Sequence, residues 1–386
     1  MDFKKLKYLL RFAYNKIGLN TAKDGTFVFS VHKALRQIFF LIRNPHSLFF
    51  RKKQSNIAII VRGGIGDHII ASRCIRDLFA LIGPQKFDLY CGRVFCGKWI
   101  FGENPLVTGI FDERQIKSTA LAYDITVDIS QFARVYLRNP TTAPEQWKNL
   151  YRISEKHYAD FKLEIDNFPF LDSHEAEKLL IHGIKRYNSP HYFLGLPYGG
   201  HRHEIPSTPS NYFTESNFPY ITIHNGFDKT LATPTASSTK TYPYYEQVVH
   251  LLKANHPDIK IVQLGVSESS TPIAGVDYSL LDKTTLNESA HIISNALLHI
   301  DNEGGLVHIA SCFEKTSCVA FGPTSYGFFS YPENINIRPE FCGNCWWYTT
   351  DWVTKCPRGF SSPKCLESIP PRIIFEGISK YLKSIQ

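Results

Sequence analysis

One pattern, present twice along the chain, constrains its fold most: a short apolar run leads into a glycine turn, followed by an amphipathic segment. The first copy is Asn56–Arg62, then Gly63-Gly64-Ile65-Gly66-Asp67-His68, then Ile69–Leu81, where Ile69, Ile70, Cys74, Leu78 and Leu81 recur at helical spacing. An apolar run of that length fits a strand covered on both faces by helices, as in a parallel sheet. Further strand-like runs fall at Phe87–Cys91, Val107–Phe111 and Tyr123–Ile129. The second series starts at Pro219–Asn225 and continues with a helix at Tyr244–Ala254 and a strand at Lys260–Leu264. A helix near Leu286–Ala296, a strand at Leu297–Ile300 and another at Ser317–Phe321, entering Gly322-Pro323, complete it. Between the two series, residues 186–218 are rich in Pro, Gly, Ser, Thr, Asn and His, a linker composition. The alternation predicts an α/β chain of two Rossmann-like doubly wound domains facing a cleft, at 55–190 and 219–386, joined by a linker at 191–218. A length of 386 residues accommodates two such domains.

The formal charge of +8 is unevenly placed. Residues 1–53 carry twelve Lys or Arg and two Asp, which leaves 31 basic and 33 acidic side chains for the remainder. The body is therefore nearly neutral, and a nucleic-acid-binding face over the whole fold is not expected. The basic segment, 1–54, forms an N-terminal arm with two amphipathic stretches. In one, Phe3, Leu6, Leu9, Leu10, Ala13, Tyr14 and Ile17 alternate with Lys and Arg; the other is built around Val31–Ile42. A helical layer packed on the body and an interfacial arm lying on anionic lipid both account for that pattern. The longest apolar run, Ile38–Ile42, is bounded by Arg36 and Arg43 and is far too short to span a bilayer. With no cleavable leader pattern, the expected compartment is the cytoplasm.

Five of the nine cysteines (Cys74, Cys91, Cys96, Cys312, Cys318) sit in apolar stretches and read as core. Cys342, Cys345, Cys356 and Cys365 lie within 24 positions of one another, one C-x-x-C pair and two further thiols. This Cys-rich knuckle is a candidate tetrathiolate site for structural Zn or Fe. Four thiolates leave no open coordination position, so no catalytic role is expected of it. A zinc knuckle on nucleic acid is disfavoured, because residues 340–367 hold three cations against three acids.

Three short segments carry candidate chemistry. Gly63, Gly64 and Gly66 allow a tight strand-to-helix turn that brings backbone N–H groups near a ligand, and Asp67 follows at the carboxyl end of the strand. The run Asp301-Asn302-Glu303-Gly304-Gly305-Leu306-Val307-His308 repeats the device: amides for a phosphate, Glu303 for sugar hydroxyls and His308 one turn further on. Lys240 precedes a helix and is suited to neutralising a phosphate. Taken singly, each has an ordinary structural reading as a helix-dipole acid, a core histidine or a solvated lysine.

In combination and in this order, the segments resemble glycosyltransferase family 9, the bacterial heptosyltransferases and their relatives. The resemblance rests on Arg62–Asp67, on Lys240-Thr241-Tyr242-Pro243, on Glu303–His308 and on Phe321-Gly322-Pro323-Thr324, and it spans roughly residues 55–370. It implies a GT-B architecture and an inverting, metal-independent transfer of a sugar, commonly heptose, from a nucleotide sugar such as ADP-heptose. In that scheme Asp67 is the general base, and Lys240 with the amides of Gly304 and Gly305 stabilises the departing diphosphate. Glu303 holds donor hydroxyls and His308 the phosphate side. Asn225, Gly226 and Glu268 complete the donor site. The implied acceptor is lipopolysaccharide core or another cell-surface glycan; relatives that heptosylate autotransporter proteins, and hold iron in such a cysteine cluster, imply a protein acceptor. No cofactor is required for the transfer. Beside such a family the arm is expected to attach the enzyme to the inner face of the cytoplasmic membrane. Two departures stand out: the family's Asp-Ser/Thr-Gly is Glu303-Gly304-Gly305 here, and a Thr/Ser-rich stretch, Asp228–Ser238, precedes Lys240. The first also admits a catalytically retired sugar-nucleotide-binding interaction module.

Overall fold

The computed structural model describes residues 55–116, 123–214, 218–228 and 238–385. The basic arm and most of the Thr/Ser-rich stretch lie outside the described residues.

The first domain is a five-stranded sheet of β1 (Ile57–Val61), β2 (Phe87–Cys91), β3 (Val107–Asp112), β4 (Ile125–Ile129) and β5 (Ala133–Leu137), in the order β3-β2-β1-β4-β5. All pairings are parallel except β4–β5. Every residue of β1 is buried, as its unbroken apolar sequence requires. Helix α1 (Ile65–Ile82) follows β1 and α2 (Val94–Phe101) follows β2. Four helices then cover the β4–β5 side: α3 (Glu145–Asp160), α4 (Lys162–Asp166), α5 (Asp172–Ile181) and α6 (Ser189–Leu194). The antiparallel β5 has no glycine turn of its own; its alternating Ala133-Arg134-Val135 pattern is the mark of a half-covered edge strand.

The chain runs without helix or strand through the described residues between α6 and β6 (Tyr220–Ile223). The second sheet adds β7 (Lys260–Gln263), β8 (Tyr278–Ser279), β9 (His299–Asn302), β10 (Ser317–Ala320) and β11 (Ile335–Ile337), in the order β11-β10-β9-β6-β7-β8, wholly parallel. Counted from β6, that is the 3-2-1-4-5-6 order of a dinucleotide-type sheet. Its helices are α7 (Tyr245–Asn255), α8 (Leu286–Asn295), α9 (Gly305–Cys312), α10 (Tyr326–Phe329), α11 (Lys364–Glu367) and the terminal α12 (Pro371–Ser384). Helix α8 opens with a capping box, Thr285 accepting from the Glu288 N–H, which accounts for its sharp start.

In each sheet the strand order reverses at one point, between β1 and β4 in the first and between β6 and β9 in the second. Sheets of this kind bind ligands at that crevice, beyond the carboxyl ends of the strands. The Asp67 turn leaves β1, the His224–Gly226 loop leaves β6 and the Glu303 turn leaves β9, so all three emerge at a switch point.

Candidate active site

Gly63 adopts φ +95°, a backbone that side chains rarely tolerate, and a Cβ there would overlap the Asp67 carboxylate. The turn folds Asp67 back so that its Oδ2 accepts from the Gly64 N–H at 2.8 Å, satisfying the start of α1 internally. Its Oδ1 is held by Arg186 Nη2 at 2.5 Å. The Arg186 side chain is 5% exposed while that of Asp67 is 36% exposed, so the carboxylate faces the cleft and the guanidinium backs it. Burial pushes the Asp67 carboxyl up, but Arg186 and the Gly64 N–H outweigh it and hold the group below its ordinary range. An ionised carboxylate has about four acceptor sites. Two are used, which leaves lone pairs for an incoming hydroxyl.

The second turn lies directly against the first. Gly304 is the N-cap of α9 with no side-chain cap, and a Cβ on Gly305 would come into van der Waals contact with Ile65 and the Gly66 nitrogen. His308 presses its Cδ2–Nε2 edge on Gly66, where any Cβ would overlap the ring. Two helix N-termini from two domains thus converge on one point, and their amides and dipoles favour an anion there. Lys240 Nζ meets Glu303 Oε2 at 2.6 Å at the same place, both side chains largely buried. The Lys240 segment is pinned from three sides. Thr239 bonds the backbone oxygens of Val353 (2.8 Å) and Trp352 (2.7 Å), Thr241 Oγ1 that of Asn225 (3.3 Å), and the Tyr242 N–H donates to Asn302 Oδ1 (2.9 Å).

Behind the second turn, His224 Nδ1 donates to Asp301 Oδ1 at 2.8 Å and stitches β6 to β9 at the switch point. Gly226 and Gly265 leave room for the His224 ring and Ser270 Oγ, since a Cβ on either would run into both. Asn225 is buried with Nδ2 on Thr271, while its Oδ1 and Ser270 Oγ have no hydrogen-bond partner among the described residues. Buried acceptors without partners mark a place where a ligand or water completes the bonding. Glu268 is exposed on the turn after β7.

Asp67, Lys240, Glu303, Gly304, Gly305 and His308 are therefore brought together, with Gly63, Gly64 and Gly66 forming the turn beneath them. Asn225 and Gly226 line the adjoining loop. Arg186 went unseen in the sequence, because nothing in Arg186-Tyr187-Asn188 distinguishes it from a loop cation. Arg93, which pairs with Asp228 across the two domains, escaped notice for the same reason.

Of the four clustered cysteines, Cys342, Cys345 and Cys356 lie in irregular chain and Cys365 in the short helix α11. Burial pushes the Cys345 thiol up to about 11 and Cys365 up to about 12, and each is raised further by the thiols around it. Cys342, Gly343 and Asn344 all have positive φ, the tight turn of a knuckle. Among the described residues, however, no group of three or more His, Cys, Asp or Glu side chains is placed to hold a metal ion. The aromatic residues of this stretch serve packing: Trp346 is buried against Phe329 and its Nε1 donates to Asp172 Oδ2 in the first domain at 3.0 Å.

Residues 205–349 match the sequence model described as glycosyltransferase family 9 (heptosyltransferase). That span includes Lys240, Glu303 and His308. No curated protein sequence matches the chain. Among solved structures, it resembles the dodecameric iron-containing heptosyltransferase TibC in complex with ADP-D-beta-D-heptose, at 13% identity and TM-score 0.56 over 87% of this chain and 78% of TibC. A second structure of TibC, from enterotoxigenic E. coli H10407, gives 14% identity and TM-score 0.57 over the same shares. E. coli ADP-heptose lipopolysaccharide heptosyltransferase II gives 15% identity and TM-score 0.47 over 85% of this chain and 98% of that one. The fold shared with TibC bears out the GT-B expectation, and the match over residues 205–349 is to a family of glycosyltransferases. No helix among the described residues is long and apolar enough to cross a membrane.

Proposed function

We propose that the protein transfers a heptose from ADP-heptose, with inversion, to a hydroxyl of a cell-surface acceptor. The observation that carries this reading is the meeting of two glycine turns from two domains, with Asp67 on one side and Lys240, Glu303 and His308 on the other. In the step, the acceptor oxygen attacks the anomeric carbon and its proton passes to an Asp67 oxygen. The bond from that carbon to the diphosphate oxygen breaks on the opposite face. The charge that develops on the leaving diphosphate meets Lys240 and the amides at Gly304 and Gly305. Glu303, held by Lys240, accepts from sugar hydroxyls, and Asn225 with Gly226 and Glu268 receives the nucleoside side. The acceptor is lipopolysaccharide core or a related glycan; a protein acceptor, which the resemblance of the cysteine cluster implies, is the second reading.

The same proposal assigns Cys342, Cys345, Cys356 and Cys365 to a structural metal, Zn or Fe. The support is the close set of four thiols, the three consecutive left-handed residues at the knuckle, and the iron of TibC. As placed, the sulfurs do not close on a metal, so binding entails drawing the segment together. Metal analysis of the purified chain is expected to give one equivalent, lost in Cys345→Ser; a metal-free native chain overturns this assignment. The basic arm is proposed to hold the enzyme on the cytoplasmic face of an anionic membrane.

The deciding experiment is a thermal-shift screen against nucleotide sugars followed by mass spectrometry of the product. Stabilisation by ADP-heptose and a heptose-sized mass gain on the acceptor are expected. Binding without transfer or hydrolysis of any nucleotide sugar would turn the protein into a retired binding module.

A further inference from the structure

Arg73 projects from α1 into the second domain and is fully buried. Its Nη1 donates to Tyr331 Oη at 3.0 Å, and its Nη2 to Ser311 Oγ at 2.8 Å and Cys312 Sγ at 3.4 Å; Nε has no partner. No carboxylate among the described residues pairs with it. A buried, unneutralised guanidinium is costly, and an apolar side chain of similar volume would pack the same space more cheaply. Its presence calls for an explanation other than packing.

Tyr331 supplies the link. It is buried, stacked on Tyr187 at 5.1 Å and edge-on to His201 at 4.8 Å, so its hydroxyl is fixed in position. That hydroxyl also lies 2.7 Å from His308 Nδ1. Arginine can only donate, so Arg73 occupies a lone pair of the phenol oxygen. The phenol proton then needs an acceptor, and His308 Nδ1, 2.7 Å away, is the one in hydrogen-bond geometry with it. Were Nδ1 protonated, the tyrosine proton would be buried and unpaired, which native interiors avoid. The neighbouring charges agree. Burial and Arg73, with Arg186 and Lys240, push the imidazole down to about 3 against the opposing pull of Asp67. Within the described chain Nε2 makes no hydrogen bond, and its edge lies over Gly66 where the two helix starts meet.

We propose that Arg73 and Tyr331 are positioning residues: together they fix His308 as a neutral imidazole with its proton on Nε2, a preset donor toward the anionic part of a nucleoside-diphosphate sugar. Because Arg73 belongs to one domain and Tyr331 and His308 to the other, the donor is set only where the domains meet. Separation frees the phenol to accept instead, and His308 to exchange tautomers. The inference rests on the nucleotide-sugar reading for its ligand but not for its tautomer.

The test is nitrogen NMR on full-length protein labelled at histidine, with His308→Gln identifying the resonance by difference. The expected spectrum shows Nε2 protonated, Nδ1 bare, and no titration between pH 5 and 8. Tyr331→Phe is expected to turn this into a tautomer mixture and to lower kcat about tenfold with little change in donor KM. Arg73→Lys, which keeps a donor to Tyr331, is expected to restore most of the wild-type signature. A proton on Nδ1 in the wild type, or an unchanged tautomer in Tyr331→Phe, overturns the relay. The preset tautomer in a protein that turns over no nucleotide sugar would leave the relay standing and remove the transfer reading instead.

Discussion

The two glycine turns use the same backbone device and leave it in opposite states. At the start of α1 the protein supplies its own anion: Asp67 closes on the Gly64 N–H and is held from behind by Arg186. At the start of α9 there is no such closure; Gly304 offers no cap, and Glu303 is turned to Lys240. One helix start is satisfied internally and presents a carboxylate, while the other has no side-chain cap. The contrast teaches that a glycine-capped helix start becomes a charge donor or a charge receptor according to one residue, the third of the helix. In α1 that residue is Asp67; in α9 it is Val307.

The largest expected effect breaks the comparison at its charged half. Asp67→Ala should lower turnover by about 10²–10⁴-fold, the range for loss of a general base, while donor affinity measured by calorimetry stays near wild type. Comparable loss of donor affinity would place Asp67 on the donor instead. Next, Gly66→Ala puts a methyl where the His308 ring edge lies. It is expected to push the two turns apart and reduce kcat/KM by about tenfold, roughly 1.4 kcal/mol, with a larger radius of gyration in X-ray scattering. An unchanged radius with full activity would mean that the turns need not touch.

Arg186→Met sharpens the contrast through pH. Arg186 holds the Asp67 carboxyl down, so its removal lets burial raise that group. The acidic limb of the kcat/KM profile should therefore move to higher pH. A limb that stays in place would show that Asp67 is not the titrating base. The smallest effect concerns Asp172, buried behind this site between Gln131 and Trp346, where burial raises its carboxyl to about 7. The unfolded chain releases that proton near pH 4 and the folded chain only near 7, so stability from this group falls as pH rises across that window. Asp172→Asn should flatten the slope of melting temperature between pH 4 and 7, shifting the pH 7 midpoint by about 2–4 °C, the equivalent of ~1 kcal/mol. An undiminished slope would assign it to Glu175, whose carboxyl is raised in the same direction.

The sheets were legible because buried parallel strands must be continuously apolar and must end in turns; Ile57–Val61 and Lys260–Gln263 could hardly be read otherwise. The antiparallel β5 and the short β8 and β11 were not, since none is a continuous apolar run and each takes its place from the strand beside it. In the site, glycines and the acids beside them announce themselves by local spacing. Arg73, Arg186 and Tyr331 do not. Their partners lie 258, 119 and 23 positions away, and only the folded chain brings them together, for Arg73 across the two domains. Local chemistry was readable, and the groups that tune it from a distance in sequence were not.

The stretch from Trp346 to Val353 grips the first domain at Asp172 and the second at Thr239. Two sheets of this size would ordinarily be free to unravel one after the other, but here one apolar cluster runs from the first into the second. A strap tied to both removes that freedom, so neither half can loosen without straining the segment that carries Lys240. Heat should therefore find a single cooperative unit, and a fault introduced among the cysteines should be felt as far away as the floor beneath Asp67.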